Sequence, residues 1–430
     1  MAKAKMATTF CGVPVKNPIV MGAGPQGGTI NLIKKCIDAG YGAVCTKTSS
    51  QFEYYHKYPY TRYDIINYET AGRGRDFRDW VWSHNDHNAP VGPIDFAKTI
   101  AGISEYAREK NCLLIGTFAA SSVDEWARCA EAYQKAGAGA LELNFCCPGP
   151  GTLKDVAKKE DAAAAACFGE VLHQGFEVSC SIVNKVRKTV DIPILCKMPP
   201  SIRSQSKDVA SALHAAGADG VEMYANNKGT RVNIEKATPY GFGCGTMNSH
   251  GHLSETVYDV AQLVMANPKV NIMAGRGVRR WEDAVELLMV GATVVEICTT
   301  GIVYGVNFIQ EFLSNIEGFM NRKKYAGIDD LRGAALKKVL MPSEIKEKVT
   351  PVFAVVKGAK CSGCGRCEEV CAYEAAAVSY KGGRGVAKIT ETKCIGCTLC
   401  SQICPEDAIT LKERDDEGYL KALMSRHPEI

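Results

Sequence analysis

Pro193-Ile-Leu-Cys196, Lys207-Asp-Val-Ala-Ser-Ala-Leu-His-Ala-Ala216 and Gly220-Val-Glu-Met223 follow one another within a single stretch of chain. The outer two are short apolar runs of strand length. The middle one places Val209, Leu213 and Ala216 four and three residues apart, the spacing of one helix face. The stretch therefore reads strand, helix, strand. The same kind of run recurs along the chain. Eight stand out: Pro18–Met21, Gly42–Thr46, Leu113–Gly116, Ala140–Leu143, Pro193–Cys196, Gly220–Met223, Val270–Ala274 and Thr293–Ile297. Helical spacing follows several of them, at Ile30–Ala39, Val123–Ala136, Lys207–Ala216 and Trp281–Val290. Eight β units alternating with helices predict an α/β fold, a (β/α)8 TIM barrel rather than a doubly wound sheet.

A barrel of this kind carries its chemistry at the C-terminal ends of its strands. Lys47, Asn144, Lys197, Asn226, Gly275 and Thr299 all fall at or just past those ends. Any one of them alone reads as a solvated loop residue, but six in the same register read as a site. The longest insertions follow the second strand, from Ser49 to about Val91, and the sixth, from Asn226 to about Leu253. Gly22-Ala-Gly24-Pro-Gln-Gly27 fits G-x-G-x-x-G after a strand. A dinucleotide fold would place an acidic residue about 20 positions on. The next strand ends instead in Cys45-Thr-Lys47-Thr48, so these glycines are expected to let the backbone approach a cofactor in the first βα loop.

The C-terminal segment repeats itself. Cys361-x2-Cys364-x2-Cys367-x3-Cys371 returns 33 residues later as Cys394-x2-Cys397-x2-Cys400-x3-Cys404. Three cysteines at this spacing wrap one face of a cubane, and the fourth ligates the other cluster. This predicts two [4Fe–4S] clusters, one held by Cys361, Cys364, Cys367 and Cys404, the other by Cys394, Cys397, Cys400 and Cys371. A pair of zinc sites would more often use histidine, and none lies near. Lys381–Gly385 reads as the turn between the halves. The expected organisation is a barrel over 1–340, a linker over 341–355, a ferredoxin-like domain over 356–412 and a charged, peripheral tail over 413–430.

Composition agrees with this. The chain has 430 residues, room for two or three domains, and 46% are hydrophobic. A net charge of +4 without a dense Lys/Arg cluster points away from nucleic acid. Met1–Thr9 has no apolar stretch of the kind that exports a chain, and no apolar run approaches the ~18 residues of a membrane helix. The expectation is a soluble, cytoplasmic protein whose 20 cysteines are not a disulfide framework.

Five barrel segments carry a resemblance: Phe10–Ile19, Ala43-Val-Cys-Thr-Lys47-Thr48, Leu141-Glu-Leu-Asn144-Phe-Cys-Cys147-Pro148, Ile194-Leu-Cys-Lys197 and Gly291–Cys298. They resemble the FMN barrel of the dihydroorotate/dihydropyrimidine dehydrogenase family. With the cysteine repeat behind the barrel, the chain is most similar to the catalytic subunits of bacterial dihydropyrimidine dehydrogenases, over nearly its whole length. The resemblance implies FMN held by Gly22, Ala23, Lys47, Thr48, Asn144 and Lys197, with Gly275, Gly277, Thr299 and Thr300 on its phosphate. It implies a substrate met by Asn67, Glu69, Asn144, Asn226 and Asn227, whose amides offer both donor and acceptor to a ring carbonyl beside an N–H. Cys147 would be the acid that exchanges a proton with one carbon of a C=C bond while the flavin exchanges hydride with its neighbour. A thiol protonated at neutral pH suits that task. Cys146, where the family usually has serine, leaves the doublet open.

The chain also departs from the family. After the sixth strand it reads Asn226-Asn-Lys-Gly-Thr-Arg231, and later Tyr240–His252, where the pyrimidine enzymes carry other residues. The loop Pro148–Lys154 differs too. The expected function is therefore an FMN and iron–sulfur oxidoreductase that reduces or forms a C=C bond conjugated to a carbonyl in a small cyclic substrate. The alternatives are an electron-transfer subunit of a larger complex, or a reductase of a non-pyrimidine enone or aromatic compound. With no second flavin or NAD site legible, a flavoprotein subunit oxidising NAD(P)H or a soluble ferredoxin is expected to supply electrons, in a homo- or hetero-oligomer.

Overall fold

Thr29 starts the first barrel helix by accepting a hydrogen bond from the Leu32 N–H at 3.3 Å, and Gly40 ends it in the left-handed region at φ +113°. The helix spans Ile30–Ala39 and buries Ile33, Cys36 and Ile37 against the sheet. Val123–Lys135, Ser206–Ala215 and Trp281–Met289 likewise turn an apolar stripe inward, and Ser122 caps the first of them by accepting from the Glu125 N–H. The protein is described from a computed structural model. It covers residues 3–51, 61–66, 81–85, 88–146, 176–225, 227–241, 243, 245–381 and 384–425. The chain divides into two units, Met1–Val339 and Leu340–Ile430.

In the first unit eight parallel strands close on themselves. They are β1 (Ile19–Met21), β2 (Ala43–Cys45), β3 (Leu113–Ala119), β4 (Ala140–Asn144), β5 (Ile194–Lys197), β6 (Gly220–Met223), β7 (Asn271–Ala274) and β8 (Val294–Ile297). Each pairs with its successor, and Val295 of β8 returns to Ile19 of β1. The TIM barrel expected from the alternation of strands and helices is the fold. All eight expected strands are present, their ends shifted by up to three residues.

Strand periodicity sorts the side chains into two shells. Ile194 and Cys196 of β5, Leu141 and Leu143 of β4 and Val295 and Ile297 of β8 face the helices. Val20, Ala43, Leu113, Ile115, Ala140, Leu195, Met273 and Val294 face the barrel axis. Below them, Thr8–Phe10 and Val13–Val15 form an antiparallel hairpin whose Phe10 and Val15 complete the lower core. Phe118 and Phe145 are fully buried beside Trp126, with burial contributing roughly 1.5–3 kcal/mol for each phenylalanine.

The two long insertions are not independent loops. Arg62–Ile66, Val81–Asn85, Gly245–Ser249 and Asn227–Gly229 make one antiparallel sheet, with Trp82 opposite Asn248 and Met247 opposite Asn227. This sheet joins the loop after β2 to the loop after β6. Cross-strand partners that far apart in sequence leave no local signal.

The second unit contains two antiparallel pairs, Val352–Val356 with Ile409–Glu413 and Ala376–Lys381 with Arg384–Ile389. The strand Val352–Val356 begins inside the stretch read as linker. The tail expected to be peripheral holds a helix, Asp416–Met424, that buries Ala422, and Ser425 Oγ donates to Thr392 O at 3.0 Å. No helix among the described residues is long and apolar enough to cross a membrane.

Candidate functional site

β4 delivers Asn144 to the C-terminal mouth of the barrel, where it is almost fully buried. Its Nδ2 donates to Thr48 Oγ1 at 2.9 Å, and its Oδ1 accepts from the Cys146 N–H at 3.0 Å. One side chain thus ties the ends of β2 and β4 together. The Cys146 thiol donates to Lys197 O at 3.2 Å, joining β5 to the same cluster. Lys47 is buried nearby, its N–H donating to Gly27 O at 2.9 Å. Gly27 fits there only as glycine, because a Cβ would lie 2.4 Å from Cys45 O and 2.5 Å from Lys47 N. Lys47, Thr48, Asn144, Cys146 and Lys197 therefore share one end of the barrel. Cys147, Asn67, Glu69 and Asn226 lie outside the described residues. Asn227 is placed in the sheet formed by the two insertions, in the strand Asn227–Gly229.

Lys197 lies within an ionic layer. Alternation along the strands turns Glu142 of β4, Lys197 of β5, Glu222 of β6 and Glu296 of β8 toward the axis, directly above the apolar layer of Ala140, Leu195 and Val294. Lys197 Nζ is paired with Glu222 Oε1, lies 3.4 Å from Glu296 Oε1 and 3.9 Å from Glu142 Oε1. Burial alone pulls the ammonium pKa down. Glu142, Glu222 and Glu296 outweigh that and hold it well above the lysine range. Burial, then Glu142 and Glu296, push Glu222 well above the carboxylate range against the pull of Lys197. The sequence reading missed the three acids. The available signal was a single Glu inside each of the apolar runs Leu-Glu-Leu, Val-Glu-Met and Val-Glu-Ile, since a charge in a buried strand must face a partner.

The loops after β1, β7 and β8 carry the other residues expected at the cofactor, with Gly275, Gly277, Thr299 and Thr300 those expected at its phosphate. Gly275 donates its N–H to Met223 O at 2.9 Å, and Gly277, at φ +87°, packs 2.5 Å from Leu253 N by its missing Cβ. Thr299 Oγ1 accepts from Asn248 Nδ2 at 3.2 Å. Thr300 Oγ1 donates to Val278 O at 2.5 Å, so its hydroxyl proton is already committed. Ala23 packs at the edge of the inner core, and Gly22 donates to Ile297 O at 3.1 Å. A side chain at Gly22 would overlap Glu296. Arg276, between the two glycines, is buried and pairs with Glu255 at 2.9 Å.

In the second unit each cysteine run folds around its own cavity. One cavity is lined by Cys361, Cys364, Cys367 and Cys404, the other by Cys371, Cys394, Cys397 and Cys400. Backbone N–H groups point at sulfur: Ala387 to Cys361, Ala354 to Cys394, Ala375 to Cys371 and Ala408 to Cys404, at 3.3–3.5 Å. Such donors suit thiolate bound to a cluster. Gly363 and Gly396 hold the same place in the two runs, at φ +70° and +73°, which turns the loop around the cavity. Among the described residues no group of three or more His, Cys, Asp or Glu closes tightly enough for a single metal ion. Thiols ringing a cavity fit a cubane held by its corners.

Comparison with known proteins agrees with this layout. A family model described as Dihydroorotate dehydrogenase matches residues 96–320, and one described as 4Fe-4S dicluster domain matches residues 354–411. The chain is 25% identical over 381 residues to the NAD-dependent dihydropyrimidine dehydrogenase subunit PreA of Escherichia coli, covering 86% of each. It is 24% identical over 345 residues to the dihydroorotate dehydrogenase B (NAD(+)) catalytic subunit of Methanothermobacter thermautotrophicus, covering 77% of this chain and 98% of the other. The chloroplastic dihydropyrimidine dehydrogenase (NADP(+)) of Arabidopsis thaliana is 22% identical over 346 residues, covering 77% of each.

Proposed function

Because the chain belongs to the dihydroorotate dehydrogenase family and carries a 4Fe-4S dicluster domain, we propose that it reduces or forms a C=C bond conjugated to a carbonyl in a small cyclic substrate, as between a pyrimidine and its dihydropyrimidine. It is a flavin-dependent oxidoreductase whose cofactors are FMN and two [4Fe–4S] clusters. The observation that carries the finer reading is the convergence of Lys47, Thr48, Asn144, Cys146 and Lys197 at one end of the barrel. Bound there, FMN would supply hydride chemistry, with the clusters as its source of electrons.

The residues present suit that group. Lys47 and Lys197 place two amino groups at the buried mouth, that of Lys197 among Glu142, Glu222 and Glu296. Asn144 braces Thr48 and the Cys146 backbone, so it holds the walls of the site as well as facing a ligand. Gly275, Gly277 and the backbone at Thr299 and Thr300 are the candidates for the phosphate. On the substrate side, Asn67, Glu69, Asn226 and Asn227 would read the ring. Cys147 would give a proton to the carbon next to the one that receives hydride. The Cys146 thiol already donates to Lys197 O, which favours Cys147 for that role. Cys361, Cys364, Cys367 and Cys404 would hold one cluster, and Cys371, Cys394, Cys397 and Cys400 the other. Electrons would come from a partner that oxidises NAD(P)H, or from a soluble ferredoxin. The similarity to a protein named as a subunit of an NAD-dependent enzyme supports the former.

The test is to reduce the anaerobically purified protein and offer uracil, thymine, orotate and other cyclic enones or amides, following flavin reoxidation. Reoxidation by a member of this set that is lost in Cys147→Ala, with flavin and cluster spectra kept, is the expected result. Reoxidation by none of them would reject this substrate class, and full turnover in Cys147→Ala would move the acid to another group.

A further inference from the structure

The layer around Lys197 holds three carboxylates and one ammonium. Glu142 and Glu222 are fully buried, and Glu296 and Lys197 are 8% and 9% exposed. Cys45 of β2 completes the ring, with its thiol donating to Glu142 Oε2 at 3.7 Å. By the same alternation, β1, β3 and β7 present uncharged Val20, Thr117 and Met273. A cluster made for stability alone would match its charges. This one, fully ionised, would carry two excess negative charges in a layer shielded from water. Burial, then Glu142 and Glu296, push the Glu222 pKa well above the carboxylate range, which favours a proton there. Even with one acid protonated, two carboxylates would face a single Lys197.

Glu296 has a place built for it. A Cβ at Gly22 would fall 1.9 Å from its Oε1, and one at Gly275 would fall 2.7 Å from its Oε2. Glycine at the ends of β1 and β7 thus lets this carboxylate reach up between two loops of the mouth, 3.4 Å from Lys197 Nζ.

We infer that Glu142 and Glu296 act through Lys197 to cancel its positive field at the barrel mouth, and so hold the two-electron potential of the FMN bound there low. The inference rests on the reading that Lys197 lies beside that cofactor. A free cation would favour the negative charge gained on reduction. A cation already neutralised by two carboxylates at 3.4 and 3.9 Å does not. The reduced form is then bound less tightly relative to the oxidised form, and the equilibrium is pushed toward handing electrons on. A low potential suits the cofactor to reducing a substrate, while the donor and substrate couples set the overall direction. An external reductant fills the clusters. In the reducing direction the bound cofactor would supply hydride to one carbon of the substrate C=C bond, and the site acid would give a proton to its neighbour, leaving a saturated CH–CH unit.

The experiment is a redox titration of the FMN in the holoenzyme and in Glu296→Gln and Glu142→Gln, both close to isosteric. At least one variant should bind reduced over oxidised FMN about tenfold better than the wild type, an upward potential shift of about 30 mV for a two-electron couple. Glu222→Gln, at the acid whose pKa burial raises, should stay within about threefold. Unchanged or lowered potentials in both charge-removing variants, with FMN bound, would overturn the inference alone. A wild-type protein that binds no FMN would overturn the flavin reading and the inference with it. In FMN-free protein, infrared spectra at neutral pH should contain a protonated-carboxyl C=O band that Glu222→Gln removes. Its absence from the wild type would refute the charge count.

Discussion

Lys197 Nζ lies 3.4 Å from Glu296 Oε1 across the inside of the barrel, joining β5 to β8 through charge rather than through backbone hydrogen bonds. Glu142 and Glu222 complete the same contact set. A buried ion cluster of this kind adds little net stability, but breaking it is expensive.

Removing the cation tests that asymmetry. Lys197→Met leaves three acids facing one another in the barrel and should lower stability by about 3–5 kcal/mol at neutral pH. Urea unfolding of the FMN-free protein at several pH values would measure it. The deficit should shrink as pH falls, because protonation relieves the repulsion. A deficit independent of pH would mean that packing rather than charge is responsible.

Glu222 has a folded-state pKa raised well above its ordinary 4.5. Its contribution is therefore fully present below that value and declines as pH rises toward the folded pKa, because the native state keeps a proton that the unfolded chain gives up. From about its ordinary pKa upward, until the pH reaches the raised folded value, the wild type should lose stability from this group at up to ~1.4 kcal/mol per pH unit. Glu222→Gln should lack that slope. Parallel stability–pH curves for the two proteins would contradict the assignment.

Gly27 sets how closely the first βα loop approaches the end of β2. With Cys45 O and Lys47 N at 2.4 and 2.5 Å from the missing Cβ, Gly27→Ala must displace backbone on one side or the other. We expect a loss of about 1–3 kcal/mol together with weaker FMN retention, since Lys47 moves with the loop. Thermal melts and flavin content after gel filtration report the two effects separately.

Cys404 belongs to the second half of the sequence repeat but lines the cavity of the first. Cys361→Ala combined with Cys404→Ala removes two thiols from the same cavity and should leave about four of about eight irons per chain. Cys361→Ala combined with Cys371→Ala takes one thiol from each cavity and should leave fewer. Equal iron contents after anaerobic purification would count against the crossed ligand sets.

Much of this protein was legible without coordinates because the signals are local. Ile30–Ala39 shows its helix through apolar spacing within three turns, and Gly220–Met223 shows its strand through a short apolar run. The two cysteine runs reveal themselves by spacing alone, since a tight loop around a cluster permits few arrangements. Position at strand ends was enough to select Lys47, Asn144 and Lys197.

Other features were decided only when the chain closed. A run such as Val-Glu-Met does not say which of its alternating faces meets the axis. Closure of β8 onto β1 is what turns Glu142, Glu222 and Glu296 toward one lysine. The pairing of Trp82 with Asn248 joins insertions more than 160 residues apart, a distance over which no periodicity speaks. Gly22 reads in the sequence as a glycine that lets the backbone approach a cofactor, and only the structure shows that its bare α-carbon makes room for Glu296. Sequence carries propensity and spacing along the chain. The charge balance at the barrel mouth depends on which residues closure brings within a few ångströms of each other.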